Sequence, residues 1–207
     1  MPNYNIHIDP LFSMPVMIPE EKYSMSKETK LYIERCLKES NGPEDNSNEI
    51  SVNKYVLNEP ELKDLNNWIM NYIRFYAFNI MKFENCDFYI TQSWINYTKK
   101  TQKHHVHYHP NSLISGVFYL NDDDAKINFY RGDDQFALSF VIDDFNVFNS
   151  GKYQYDTKEN GLILFPSKTR HDVDIQKSDK VRISIAFNTW ATGSFGELKH
   201  ANRLELK

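Results

Sequence analysis

After Cys86 the sequence becomes a succession of short runs rich in β-branched and aromatic residues, each closed by a cluster of turn formers. The runs are Phe88–Tyr97, Val106–His109, Ile114–Asn121, Ile127–Tyr130, Ala137–Phe148, Gly161–Phe165, His171–Ile175 and Val181–Trp190. Breaks such as Asn121-Asp122-Asp123-Asp124 and Asp156-Thr157-Lys158-Glu159-Asn160-Gly161 separate them. So many closely spaced strands bury one face and protect their edges by wrapping into a barrel. No repeat of solenoid length runs along the chain.

Two helices precede the strands. Ser26 is placed to cap one from about Lys27 to Glu39, where Leu31, Ile33, Cys36 and Leu37 form a ragged apolar stripe. Pro60 opens a stronger one, because proline suits a first helical turn. Its Leu62, Leu65, Ile69, Tyr72, Ile73 and Tyr76 recur at three- and four-residue steps to about Phe83, giving one face to lay on a sheet. Leu11 to Pro19 reads as an extended edge segment, and Asn41 to Asn48 as a polar loop. The fold expected is mainly β with N-terminal helices: a double-stranded β-helix (jelly roll, cupin-like) with helices packed on one sheet. One domain spans 1–207, with 1–85 as edge segment and supporting helices, 86–191 as barrel core and 192–207 as a polar peripheral tail.

Composition narrows the function. A chain of 207 residues with 41% hydrophobic and 25% charged residues is an ordinary globular protein. Its net charge of −4 argues against a general nucleic-acid binder, which needs a basic face. No apolar stretch is long enough to cross a bilayer, and Met1-Pro2-Asn3-Tyr4-Asn5 lacks the flank of a signal peptide. Cys36 and Cys86 lie far apart and read as reduced thiols, so a cytoplasmic setting is expected.

The chemistry lies in the histidines. Four of the seven fall between His104 and His109. On a strand, His105, His107 and His109 share a face and His104 takes the other. Two imidazoles from that face and His171 from a neighbouring strand make a three-ligand site with open positions, which suits non-haem iron. The pair His107/His109 places the site at the barrel mouth, since Pro110-Asn111-Ser112 ends the strand. The pair His105/His107 is the alternative. Downstream, Arg182, Ser184 and Ala186 alternate with Val181, Ile183 and Ile185. An arginine on an inward face needs a permanent anion, and a carboxylate can meet it with two parallel hydrogen bonds. Ser184 and the Tyr119 phenol are further contacts for that carboxylate.

Together these segments resemble the 2-oxoglutarate and Fe(II)-dependent oxygenases. The nearest branch is similar to oxygenases of phage and marine bacterial genomes that are related to prolyl hydroxylases. The resemblance runs from Leu11-Phe12-Ser13-Met14-Pro15-Val16 through Ser93-Trp94-Ile95-Asn96 and His107-Tyr108-His109-Pro110-Asn111-Ser112. It continues in Gly161-Leu162-Ile163-Leu164-Phe165-Pro166-Ser167, His171 and Arg182-Ile183-Ser184-Ile185-Ala186-Phe187-Asn188. It implies Fe(II) on His107, His109 and His171, and 2-oxoglutarate held through Arg182, Ser184, Tyr119 and Asn96. It also implies O2 as co-substrate, release of succinate and CO2, and hydroxylation of a prime substrate, with a protein or peptide favoured. His109 stands where the wider superfamily has Asp or Glu, so this site lacks one negative charge.

Two other functions draw on the same residues. One is a three-histidine, cupin-like dioxygenase that dispenses with 2-oxoglutarate. The other is a non-catalytic jelly-roll interaction protein with a structural metal. Trp94, Tyr97, Tyr108 and Tyr130 are candidates to line an entrance, and Lys99-Lys100-Thr101-Gln102-Lys103 reads as a solvated basic turn.

Overall fold

Alternation of side chains along β2 (Cys86–Thr98), β4 (Ile114–Tyr119), β7 (Leu162–Pro166) and β9 (Arg182–Phe195) organises the molecule into layers. The structure, a computed structural model, describes residues 6–39, 47–132, 137–138 and 140–207. Those four strands, with β1 (Glu49–Ile50), form a sheet in the order β1-β2-β9-β4-β7, and β10 (Leu204–Leu206) also pairs with β9. The second sheet contains β3 (His104–His107), β5 (Asp123–Tyr130), β6 (Lys152–Thr157) and β8 (His171–Val173), in the order β3-β8-β5-β6. Neighbouring strands are antiparallel throughout.

One face of the larger sheet carries Ile95, Tyr97, Phe118, Leu164, Ile185 and Phe187 beneath the helices. The other face turns Val117, Tyr119, Ile163 and Phe165 toward Ile127 and Phe129 of the smaller sheet. A bulge between Ile90 and Gln92 resets the alternation of β2, so that Trp94, Asn96 and Thr98 lie opposite Ala186, Ser184 and Arg182.

Helix α1 (Lys27–Glu39) begins as its sequence predicts: the Thr29 N–H donates to Ser26 Oγ at 3.1 Å. The Thr29 hydroxyl donates to the Glu61 carbonyl at 2.8 Å and ties this helix to the next. Pro60–Leu62 forms a 3-10 turn, α2 runs over Lys63–Arg74, and Phe75–Ile80 continues as a π-helical turn. Leu62, Leu65, Ile69 and Ile73 are fully buried, each contributing about 1.5–3 kcal/mol of apolar burial. The N-terminal edge segment pairs with β7: Met17 and Leu164 exchange both backbone hydrogen bonds at 2.9 Å.

Three expectations change. The described part of 137–148 forms no strand, and Leu138, Phe140, Val141 and Phe145 stay exposed. Strand-like composition acts only where a neighbouring strand buries it. The strand at this place in the fold is instead β6, whose polar outer residues conceal it. At the C-terminus β9 continues to Phe195 and β10 returns along it, so part of 192–207 belongs to the sheet. Tyr97 lines no entrance: it lies fully buried under α1, its hydroxyl donating to the Ile33 carbonyl at 3.2 Å. Residues 41–46 of the expected polar loop, with residue 40 before it, and Met1 to Asn5 lie outside the described residues. No helix among the described residues is long and apolar enough to cross a membrane.

Candidate metal centre

His107 ends β3 and pairs with His171, the first residue of β8. His109 lies two residues further on, where its N–H donates to the Ser167 carbonyl at 2.9 Å and Asn111 adopts a left-handed backbone (φ 54°). These contacts fold the turn back and bring the three imidazoles together. One nitrogen from each of His107, His109 and His171 lies within 4.8 Å of the other two. His109 Nε2 and His171 Nε2 are 3.2 Å apart, their rings nearly parallel at 8°.

Two of the rings have fixed tautomers. His107 Nδ1 donates to the His105 carbonyl at 2.8 Å, and His171 Nδ1 donates to the Thr169 carbonyl at 2.9 Å. Each therefore presents an unprotonated Nε2, the form a metal takes. Burial pulls His109 down to about 3 and His171 to about 4, with neighbouring rings adding repulsion, and His107 also falls below its ordinary value. All three thus stay neutral at physiological pH.

A stability prediction follows from those shifts. Unfolded, His109 and His171 take up protons as pH drops below the ordinary value of 6.5; folded, they resist to about 3 and 4. The unfolded state binds more protons in that window, so stability rises with pH and is lost on acidification. Each histidine contributes up to about 1.4 kcal/mol per pH unit. Urea unfolding of chelator-treated protein between pH 7 and pH 4 checks the slope, and added metal should raise stability across that window without removing the slope.

His104 departs from simple alternation. A bulge sets three steps of β3, from His104 to His107, against two of β8, from Val173 to His171. The parity flips, so the His104 ring lies 4.3 Å from that of His107, and burial pulls it down to about 3. His105 is exposed; its carbonyl accepts from His107 Nδ1 and its ring centre lies 5.3 Å from that of His107, outside the group of three converging nitrogens. The structure therefore does not bring the alternative ligand His105 into the cluster; it brings His104 alongside instead. A periodicity argument cannot see a bulge.

Arg182 is 3% exposed on the inner face of β9 and, among the described residues, has no ion-pair partner. Its Nε makes no hydrogen bond. The guanidinium carbon sits 5.2 Å from the centre of the Tyr119 ring, and the buried Tyr119 hydroxyl likewise has no hydrogen bond of standard geometry. Burial pushes that phenol up to about 12, with Arg182 pulling the other way. Ser184 lies between Tyr119 of β4 and Asn96 of β2. Following the same face, Asn188 accepts from Ser115 Oγ at 2.9 Å and hydrogen-bonds the His109 side chain. One face of β9 thus connects a buried guanidinium, without an ion-pair partner among the described residues, to the histidine cluster.

The remaining predicted residues lie at the edges. Tyr108 is exposed next to the cluster, and Tyr130 donates its hydroxyl outward to Asp172 at 2.9 Å. In the basic turn, Lys99 pairs with Glu49 and Lys100 with Asp179 at 2.9 Å.

Residues 92–188, which span the cluster, Tyr119, Asn96 and Arg182, match the family described as "Putative 2OG-Fe(II) oxygenase". The fold is similar to that of HygX from Streptomyces hygroscopicus, solved with nickel, 2-oxoglutarate and hygromycin B bound. That likeness has 10% identity and a TM-score of 0.60, covering 85% of this chain and 82% of the other. A Pseudomonas putida prolyl-4-hydroxylase is similar at 15% identity and TM-score 0.57, over 86% of this chain and 95% of the other. An oxidoreductase of the 2OG-Fe(II) oxygenase family from Burkholderia pseudomallei is similar at 13% identity and TM-score 0.56, over 84% and 83%. No curated protein matches the sequence. Resemblance to the 2-oxoglutarate/Fe(II)-dependent oxygenases is therefore present in the sequence of the barrel core and in the fold.

Proposed function

We propose that the chain, acting as one domain, is a 2-oxoglutarate- and Fe(II)-dependent oxygenase that hydroxylates a protein or peptide side chain. The observation that carries this reading is Arg182, buried and without an ion-pair partner among the described residues, on the strand face that leads to three neutral imidazoles. A buried guanidinium without an anion is expensive, and a dicarboxylate ligand resolves the cost. His107, His109 and His171 are the residues to hold Fe(II), and Arg182 and Ser184, with the Tyr119 hydroxyl, those to hold the far carboxylate. When bound, iron and the keto acid supply the oxidising chemistry, consuming O2, releasing succinate and CO2 and placing one oxygen on a C–H bond of the substrate.

The protein's own part is to orient and to exclude water. Carbonyls of His105 and Thr169 fix two imidazoles by their Nδ1–H groups and leave each Nε2 free to bind a metal. Phe165 and Phe129 pack on the His171 ring and keep that side dry. A third histidine instead of a carboxylate leaves the metal one unit more positive, which favours a dianion and makes other divalent metals more competitive. The peptide substrate class draws support from the fold likeness to the prolyl-4-hydroxylase. Free Cys36 and Cys86, and the need to keep iron ferrous, favour a cytoplasmic setting.

Anaerobic addition of Fe(II) and then 2-oxoglutarate should raise a weak visible charge-transfer band, absent from Arg182→Ala. No band, together with no 2-oxoglutarate turnover with any metal, rejects the assignment. The all-nitrogen ligand set favours one other reading, a cupin-like dioxygenase; oxygen uptake without 2-oxoglutarate would select it.

A further inference from the structure

Trp94 occupies the stretch of barrel wall between the histidine cluster and Arg182. In register it lies opposite Ala186, midway between Asn188 and Ser184. Its ring centre is 6.0 Å from that of His109, the planes inclined by 32°. The indole N–H donates to Asn96 Oδ1 at 3.2 Å, and Asn48 Nδ2 donates to the same oxygen at 2.9 Å. Asn96 and Asn48 are each 7% exposed, so the oxygen that anchors the half-buried Trp94 is itself buried. Both lone pairs of the Asn96 carboxamide oxygen are thereby occupied, and the indole is held at its edge in one plane. Ala186, small and directly across, leaves room beside the ring.

We propose that Trp94 is the side wall against which the keto-acid cosubstrate lies, and that Asn96 and Asn48 are positioning residues that hold the indole there. This rests on the function proposed above. A flat apolar wall next to His109 keeps water from that flank and leaves the acid one direction in which to extend, along β9 toward Arg182. The Asn96 oxygen then acts through Trp94, because its hydrogen-bonding capacity is already spent.

Nickel-loaded protein tests this without turnover. Calorimetric 2-oxoglutarate affinity and Ni(II) affinity are measured for the wild type, Trp94→Phe, Trp94→Ala and Asn96→Ala. Trp94→Ala should weaken 2-oxoglutarate binding about tenfold or more, as loss of a buried aromatic contact does, with Ni(II) affinity unchanged. Asn96→Ala keeps the indole but frees it, and should weaken binding about threefold to tenfold; it carries the test should Trp94→Ala fail to fold. The chain has two other tryptophans, Trp68 and Trp190, so the fluorescence change on adding 2-oxoglutarate should vanish in Trp94→Phe. Equal affinity in all variants, with the fluorescence change intact in Trp94→Phe, overturns the assignment of Trp94 and leaves the oxygenase reading standing. No 2-oxoglutarate binding by the nickel-loaded wild type overturns both.

Discussion

Replacing Arg182 by methionine will abolish detectable 2-oxoglutarate binding while leaving the unliganded protein at least as stable as the wild type. The two effects have opposite signs because the guanidinium is buried, lacks an ion-pair partner among the described residues and leaves its Nε without a hydrogen bond. A structural arginine would be paired, and its removal would strand a carboxylate. Here no described carboxylate is stranded, and methionine fills similar volume without the cost of a buried charge. With ligand present, the lost charge-assisted pair is worth about 2–5 kcal/mol, or roughly thirtyfold to several thousandfold in affinity. Calorimetric unfolding without ligand and titration with 2-oxoglutarate read the two halves separately. A marked fall in Tm with binding retained would assign Arg182 to the scaffold.

His171→Ala will lower affinity for Fe(II), Co(II) and Ni(II) by well over the roughly hundredfold upper range seen for loss of a mere supporting contact. His171 is 3% exposed, its Nδ1 is fixed on the Thr169 carbonyl, and its Nε2 sits 3.2 Å from that of His109. His109→Asp should retain metal, since it restores a carboxylate donor, but should shift preference away from copper and zinc toward harder ions. In the metal-free protein the same aspartate would sit in a site that is 9% exposed with no cation, so it should destabilise the apo form and recover on metal addition. Removing His171 should also reduce the acid sensitivity of the apo protein by one proton's share. Metal titrations of the three proteins, with urea unfolding in parallel, check all of this.

How far the sequence revealed this arrangement can be judged residue by residue. The α2 stripe was legible because Leu65, Ile69 and Ile73 obey helical spacing and nothing interrupts them. The inner face of β9 was legible because Arg182 and Ser184 alternate with apolar neighbours. The nearness of His107 and His109 to His171 could be read from the Pro110 turn and a strand partner far downstream. Local pattern does not encode which residue a strand pairs with, nor where an extra residue is inserted. The bulge that turns His104 inward and His105 outward therefore had no signal in the sequence. For the same reason β6, an edge strand with polar outer residues, escaped notice while the apolar 137–148 stretch drew it. Asn48 is a third case: its role beside Asn96 depends on β1 pairing with β2 across nearly fifty residues.

The proposed chemistry requires that His107, His109 and His171 hold one metal ion while Arg182 grips the distant carboxylate of a bound dicarboxylic acid. Crystals grown anaerobically with Fe(II) and 2-oxoglutarate, with anomalous data at the iron edge, address it in one measurement. A single iron peak bonded to the three imidazoles at about 2.0–2.2 Å is expected, with the ligand's far carboxylate bidentate on Arg182. Iron bound elsewhere, or an Arg182 that stays without an anion in the loaded crystal, would contradict it.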